Sequence, residues 1–332
     1  MGMKELAVVT GAAGFIGSHM VDLLLKMNFR VHAIDDLSRG REQNLSQHRN
    51  DPNLIFEVID LRAMPEDHGA FKGVSYVFHF AGLGDIVPSI ERPVSYLSAN
   101  VMGTVSTLEA ARRAGARKFV YAASSSCYGL AKQLPTTELA ALNPEYPYAL
   151  SKLMGEQAVF HWGQVYKLPV ISLRMFNVYG PRSRTTGAYG AVFGVFLAQK
   201  LADKPFTVVG DGSQTRDFVF VTDVARAFLA AAQIEKEQEV YNVGAGHPQS
   251  VNRLVELLGG GEVVQLPKRP GEPDCTWADI SKIGKDLLWS PTVPFEEGVL
   301  TMLGCIDHWR DAPLWDEEAI QEATAKWFKT LS

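Results

Sequence analysis

The chain has 332 residues, of which 46% are hydrophobic and 21% charged, ordinary proportions for a globular protein of about two domains. Lys plus Arg number 32 against 37 Asp plus Glu, and the resulting net charge of −5 argues against binding nucleic acid through a large basic surface. Three scattered cysteines, no CxxC and no histidine pair at i, i+4 argue against a disulfide framework and against any metal site.

Residues 6–10 form an apolar run ending at glycines, which predicts a strand. Ile16, Met20, Leu23, Leu24 and Met27 then recur at helical spacing. Residues 30–34, 54–58, 74–80 and 118–122 are further buried-strand candidates, and 94–114 reads as one long helix with Pro93 at its start. A helix over 148–167 is followed by Pro169 and a strand at 170–173. Strands alternating with helices predict an α/β fold, a Rossmann-type doubly wound parallel sheet with right-handed crossovers and both faces covered.

Beyond about Asn177, glycine, proline and charge become more frequent and the elements shorten. Helical patterns fall at 189–201, 223–233, 251–258 and 280–288, and short strands at 206–209 and 219–221. Residues 316–331, beside Trp315 and containing Trp327, predict a C-terminal helix docked by aromatic burial. The expected organisation is a cofactor domain over 1–176. A smaller α/β substrate-binding lobe follows over 177–332, with segments such as 219–243 returning to the first sheet.

No apolar stretch is long enough to span a bilayer; the longest outside the first strand is 187–198. No leader-like charged and apolar segment opens the chain, and Leu6 stands where a myristoylation signal beginning Met1-Gly2 needs Ser or Thr. A cytoplasmic protein with no membrane and no nucleic-acid partner is expected.

Three constellations carry chemistry. Gly11, Gly14 and Gly17 sit between a predicted strand and a predicted helix, where glycines permit a tight turn, close backbone approach to a pyrophosphate and close helix packing. Asp35 ends the second strand, placed to accept hydrogen bonds from ribose hydroxyls, which favours NAD over NADP. Arg39 and Arg41 nearby pull the other way. Asp60-Leu61 follows the third strand, in position to face an adenine. Tyr148 and Lys152 form a YxxxK pair on one helix face, where an ammonium would lower the phenol's pKa and make Tyr148 a general base. Ser124–Ser126 follow a central strand, where a hydroxyl faces the ligand crevice of a doubly wound sheet.

With TGAAGFIGSH at 10–19, DDLSRGR at 35–41, HFAGL at 79–83, SSSCYG at 124–129, YPYALSK at 146–152, LRMFNVYGPR at 173–182, GDGSQTRDFVFVTDV at 210–224 and KRPGEP at 268–273, the sequence resembles the extended short-chain dehydrogenase/reductase family. The resemblance is to its nucleotide-sugar epimerase/dehydratase branch, and HFAGL with the Ser89–Pro93 segment looks particularly like UDP-galactose 4-epimerases. It implies Ser124, Tyr148 and Lys152 as the catalytic set. It implies NAD contacts at Gly11, Gly14, Phe15, Ile16, Gly17, Asp35, Asp36, Ser38, Asp60, Leu61, Phe80, Ala81, Gly82, Asn100, Tyr148, Lys152 and Phe176. The nucleotide sugar is implied to meet Ser124, Tyr148, Asn177, Arg216 and Arg269, with Thr276 near the sugar ring and small enough to leave space for an N-acetyl group. Arginines suit a diphosphate because guanidinium pairs its oxygens.

The departures narrow the chemistry. Dehydratases of this branch carry Asp and Glu where this chain has Ser125 and Ser126, and decarboxylases carry Glu at the second position. Cys127 stands where Val is common and reads as a small buried residue, and Gly84-Asp85 replaces the lysine or other polar residue frequent after HFAGL. The resemblance therefore implies an NAD-dependent 4-epimerase of UDP-hexoses or UDP-N-acetylhexosamines, a homodimer built on the 94–114 and 148–167 helices. The alternatives are a nucleotide-sugar 4-dehydrogenase or 4-keto-sugar reductase, then a dehydratase, then a non-catalytic dinucleotide sensor.

Overall fold

The structure is a computed structural model that describes residues 4–183 and 192–331. The readings made on Met1-Gly2, on the 187–191 part of the apolar stretch and on a helix start at 189–191 lie outside the described residues. The chain begins β1 (Leu6–Thr10), α1 (Phe15–Lys26), β2 (Arg30–Asp35), β3 (Leu54–Val58) and β4 (Val74–His79). It continues α2 (Ile86–Glu91), α3 (Pro93–Leu97), a π-helical turn (Ser98–Met102), α4 (Gly103–Arg113), β5 (Lys118–Ser124), α5 (Pro147–Tyr166) and β6 (Val170–Met175). Then come β7 (Asn177–Tyr179), α6 (Val192–Leu201), β8 (Phe206–Val209), β9 (Thr215–Arg216), β10 (Phe218–Phe220), α7 (Val221–Gln233) and β11 (Glu239–Val243). The last elements are β12 (Gln249–Ser250), α8 (Val251–Leu257), β13 (Val263–Leu266), α9 (Ser281–Leu287), α10 (Phe295–Gly304) and α11 (Glu317–Leu331). No helix among the described residues is long and apolar enough to cross a membrane.

Seven strands form one parallel sheet in the order β11-β6-β5-β4-β1-β2-β3. Its strands are apolar on both sides because both faces are covered. Ala7 and Val9 of β1 point into a cluster with α1, α7 and Trp289, whereas Val8 joins Leu108 of α4 and Val159 of α5 on the opposite face. The strand order reverses between β1 and β4, so a crevice opens at their carboxyl ends, the place where doubly wound sheets bind ligands. A second apolar cluster, centred on Tyr179, Phe193, Phe196, Phe218 and Trp309, forms the core of a smaller α/β lobe.

Two expectations change. Residues 94–114 are not one regular helix: α3 and α4 are joined by the π turn, which contains the buried Asn100. Such bulges gather at functional sites because the extra residue re-aims a side chain. The 219–221 strand does not return to the main sheet; Phe218–Phe220 pairs in parallel with Asn177–Tyr179 as a separate two-stranded unit. By contrast β11 does join the main sheet beside β6, and α7 and α9 pack on the same side of it. Chain order and spatial lobe therefore diverge after Asn177.

α5 is fixed to the sheet by polar groups. Glu156 is buried and accepts hydrogen bonds from Ser172 Oγ (2.7 Å) and from Arg174 Nη2 (2.6 Å), both on β6. Arg174 reaches on to the Tyr128 hydroxyl at 3.0 Å, which donates to Asn242 Oδ1 at 2.7 Å. Gly155 allows the close approach: a Cβ there would lie 2.3 Å from the Tyr121 hydroxyl. Removing one partner of a buried ion pair strands the other, at a cost of about 3–5 kcal/mol. Glu156→Ala is therefore expected to lower the unfolding free energy by about that amount in a denaturant titration.

Candidate active site

The loops after the carboxyl ends of β1, β2, β3, β4, β5 and β6 and the smaller lobe enclose one cleft of ≈ 760 Å³. Gly11, Gly14, Phe15, Ile16, Gly17, Asp35, Asp36, Ser38, Asp60, Leu61, Phe80, Ala81, Gly82 and Phe176 line it at one end. Ser124, Tyr148, Lys152, Asn177, Arg216, Arg269 and Thr276 line the remainder. Asn100 is the candidate that does not line the cleft. It is buried behind the wall, accepting from Leu83 N (2.7 Å) and donating to Leu83 O (3.0 Å) and Ser151 Oγ (2.8 Å). Its geometry is that of a brace between the β4 loop and α5.

The glycine turn fits a dinucleotide phosphate. Gly11 has φ +67°, and a Cβ on Gly17 would fall 2.1 Å from the Gly11 carbonyl oxygen, so α1 begins tightly under the β1 turn. Gly14 caps α1 without a side-chain bond and no acidic residue occupies the first turn, which leaves the N-terminal N–H groups and the helix dipole to an anion. Asp35 is buried at the end of β2, its two oxygens accepting from Ala13 N (3.0 Å) and Leu37 N (2.8 Å). Burial pushes its carboxyl pKa up, while the backbone bonds pull it back. Asp36 holds the Ser38 hydroxyl at 2.6 Å, and Asp60 is bound by Arg62 through Nε (2.8 Å) and Nη2 (2.6 Å).

Behind this turn lies a hydrogen-bond chain that the sequence did not reveal. Thr104 Oγ1 donates to Asn100 O at 2.7 Å, so it accepts from His79 Nε2 at 2.9 Å. His79 Nδ1 is then unprotonated and accepts from Thr10 Oγ1 at 2.7 Å. Full burial holds the imidazole neutral, its pKa pushed down to about 3. His79 stacks on Tyr121, and Lys152 Nζ lies 4.6 Å above the same Tyr121 ring. Burial lowers the Lys152 ammonium to about 8, with the Glu156 charge opposing the shift.

Tyr148 is the second residue of α5, after Pro147, whose fixed φ suits the first helical turn. Its pKa differs from the lowered value expected for a YxxxK pair. Burial drives the phenol up, a hydrogen bond with Ser124 draws it down, and the charge of Asp85 raises it further. The protein's own groups thus leave Tyr148 above its ordinary value, chiefly through burial. Ser124 caps the turn after β5, where its Oγ accepts from Ser126 N (3.2 Å) and Ser126 Oγ (2.8 Å). Cys127 is buried, its thiol pushed up to about 12, so it is an inert packing residue.

At the other end, Arg216 Nη2 donates to Glu272 Oε1 at 2.9 Å, and Arg269 Nη1 lies 3.6 Å from Glu272 Oε2. One carboxylate thus gathers two guanidiniums at this end of the cleft. Thr276 Oγ1 donates to Asn177 Oδ1 at 2.8 Å, which turns the Asn177 amide N–H groups toward other acceptors. Thr276 is therefore an orienting residue as well as a small one. Trp327 does more than dock α11. Its indole N–H donates to Pro270 O at 2.8 Å, its ring lies 5.5 Å from the Arg269 guanidinium, and it packs on Tyr146, which stacks on Tyr148. The link from Glu272 to Arg216 and the links from Trp327 to Pro270 and Tyr146 join residues far apart in sequence, so spacing did not reveal them.

The model of the NAD dependent epimerase/dehydratase family matches residues 7–244. A Methanocaldococcus jannaschii protein described as a putative UDP-glucose 4-epimerase is 36% identical over 301 residues, covering 89% of this chain and 96% of its own. The UDP-N-acetylglucosamine 4-epimerase of Methanobrevibacter ruminantium M1, in complex with UDP-N-acetylmuramic acid, superposes with TM-score 0.85 at 32% identity, over 91% of this chain and 100% of that one. The UDP-glucuronic acid 4-epimerase of Bacillus cereus, in complex with UDP-glucuronic acid and NAD, gives TM-score 0.85 at 32% identity, over 91% of this chain and 99% of that one.

The glycine turn yields a direct test. Gly17→Ala sets a methyl against the Gly11 carbonyl, and its affinity for a dinucleotide, measured by calorimetry, is expected to fall at least tenfold, on the order of 1.4 kcal/mol.

Proposed function

We propose, for a chain that belongs to the NAD-dependent epimerase/dehydratase family, that it is an NAD-dependent nucleotide-sugar 4-epimerase acting on UDP-hexoses or UDP-N-acetylhexosamines. The observation that carries this reading is the convergence of Ser124, Tyr148, Lys152, the glycine turn and the Arg216–Glu272–Arg269 group on one cleft. Its relatives and structural neighbours include 4-epimerases of UDP-glucose, UDP-N-acetylglucosamine and UDP-glucuronic acid.

NAD, held at the glycine turn, Asp35 and Asp60, would supply the redox chemistry at C4 of the sugar. Everything else falls to the chain. Tyr148 removes the C4 hydroxyl proton as the hydride leaves and gives it back on return. The Ser124 hydroxyl, at hydrogen-bond range of Tyr148, orients the sugar hydroxyl and supports the phenolate. The Lys152 ammonium provides positive charge beneath the site. Arg216 and Arg269 hold the diphosphate, with Asn177 donating to the same group. This grip leaves the hexose free to turn between its two faces, which epimerisation at C4 requires. Ser125 and Ser126 line the cleft where elimination would need carboxylates, so dehydration lacks its acid and base.

The same surface reading includes a homodimer. Val94 is 77% exposed, Met102 54%, Leu150 42%, Met154 38% and Val165 51%, on α3–α4 and α5, helices that pack side by side. A second copy burying these groups would form a four-helix interface. The free thiols of Cys127, Cys275 and Cys305 agree with the reducing cytoplasm.

Incubation with a panel of UDP-, GDP-, CDP- and dTDP-sugars is expected to give a C4-inverted product from at least one UDP-sugar with no net NADH. Stoichiometric NADH would assign the dehydrogenase alternative, and no inverted product from any sugar would sink the epimerase. Tyr148→Phe is expected to reduce kcat roughly 10²–10⁴-fold while leaving circular dichroism unchanged. Light scattering is expected to report twice the chain mass of 36.5 kDa, and Met154→Glu to return it to the monomer value.

A further inference from the structure

We infer that Asp85 sets the charge specificity of the sugar pocket, its carboxylate turning away nucleotide sugars that carry an acid group on the hexose. The inference rests on the epimerase reading and narrows its substrates to neutral hexoses and N-acetylhexosamines.

Asp85 lines the cleft with Gly84, Ile86 and Tyr148. It stands at the N-terminus of α2 in extended conformation (φ −98°, ψ 138°), and its side chain makes no capping bond to that helix. The loop that carries it is held in place: Asn100 grips both the N–H and the carbonyl of Leu83, two residues earlier, and Ser89 Oγ donates to Ile86 O at 2.6 Å. The carboxylate is thereby presented on a braced segment, as a specificity group must be.

The cations lining the cleft are paired or stand elsewhere in it. Arg62 is bound to Asp60 after β3, Arg39 follows β2, Arg216 and Arg269 meet on Glu272, and Lys152 is buried over Tyr121. Where Ser124, Ser125, Ser126 and Tyr148 converge, the wall therefore offers hydroxyls and the Asp85 charge. A carboxylate accepts hydrogen bonds from sugar hydroxyls but repels a second carboxylate. The charge of Asp85 reaches the Tyr148 phenol, where it opposes ionisation. The other titratable groups around that phenol are Cys127 from the turn after β5, Tyr121 of β5, Tyr96 from α3 at 6.5 Å between ring centroids, Tyr146 beside it and Lys152 on its own helix.

The sign of the pH effect follows. A negative neighbour raises the phenol pKa, so removing it lowers that pKa and extends the active base form to lower pH. The test uses the NAD-loaded enzyme, with UDP-glucose and UDP-glucuronate as probes. Kd by calorimetry and kcat/KM across pH are compared for wild type, Asp85→Asn and Asp85→Ser. The wild type is expected to favour UDP-glucose at least tenfold in Kd. Both variants are expected to narrow that ratio at least fivefold, and to move the acid limb of kcat/KM for UDP-glucose to lower pH. Equal affinity of the wild type for the two sugars, or an unchanged ratio in the variants, overturns the inference. A changed ratio with a fixed acid limb assigns a steric role instead and overturns it too. If UDP-glucose binds selectively but is not epimerised, the reaction is misassigned and the role of Asp85 in charge selection stands.

Discussion

The buried carboxylate of Glu156 is the constraint from which the site is built. It ties α5 to β6 through Ser172 and Arg174, and so fixes both the height and the rotation of that helix over the sheet. Lys152 lies one helical turn before Glu156 and Tyr148 one turn before Lys152, so all three project toward the sheet side. A register fixed at Glu156 places Lys152 over the Tyr121 ring and Tyr148 beside Ser124. The same carboxylate, through Arg174 and Tyr128, reaches Asn242 on the edge strand β11, so the late-returning strand and the helix are held by one network.

The cleft has two electrostatic ends with different logic. At the glycine turn, backbone N–H groups and a helix dipole meet an anion with little side-chain charge, while at Asp35 burial raises the carboxyl pKa and two backbone bonds oppose the rise. Toward the smaller lobe, an overall acidic chain concentrates Arg216 and Arg269 on Glu272. Between the two ends, opposing terms act on Tyr148 and leave its pKa above the ordinary value. Burial and Asp85 oppose the phenolate, and Ser124 favours it. The oxidised nicotinamide that the fold is shaped to hold carries the positive charge that would tip this balance toward the base.

Braces matter as much as contacts. Asn100, His79, Thr10 and Thr104 touch one another and not the cleft's interior, yet they lock the β1 turn, the β4 loop and the π turn into one body. Preorganisation of this kind places reacting groups without reorganisation at the moment of reaction. Trp327 does the same for the segment carrying Arg269, from a helix at the far end of the chain.

The strands of the main sheet, the glycine turn, Asp35 and the YxxxK pair were legible in the residues because each depends on local spacing: period-2 or continuous apolar runs, strand–glycine–helix order, and i, i+4 on one helix. The family's motifs also marked Arg216, Arg269 and Asn177 as a diphosphate group. What spacing cannot express is the partner of a buried polar group. The bulge at Asn100 disturbs the helix between residues 94 and 114 because its amide is needed at Leu83 and Ser151, and neither is its neighbour in sequence. The strand at 218–220 is apolar enough for the main sheet but pairs with 177–179, a choice made by chain connectivity and not by composition. The raised pKa of Tyr148, the sharing of Glu272 by two arginines and the presence of Asp85 at the sugar end all depend on distances through space. The sequence by itself determined which chemistry the chain can do; the tertiary structure decided where each charge sits, because burial and long-range pairing set how strongly each group acts.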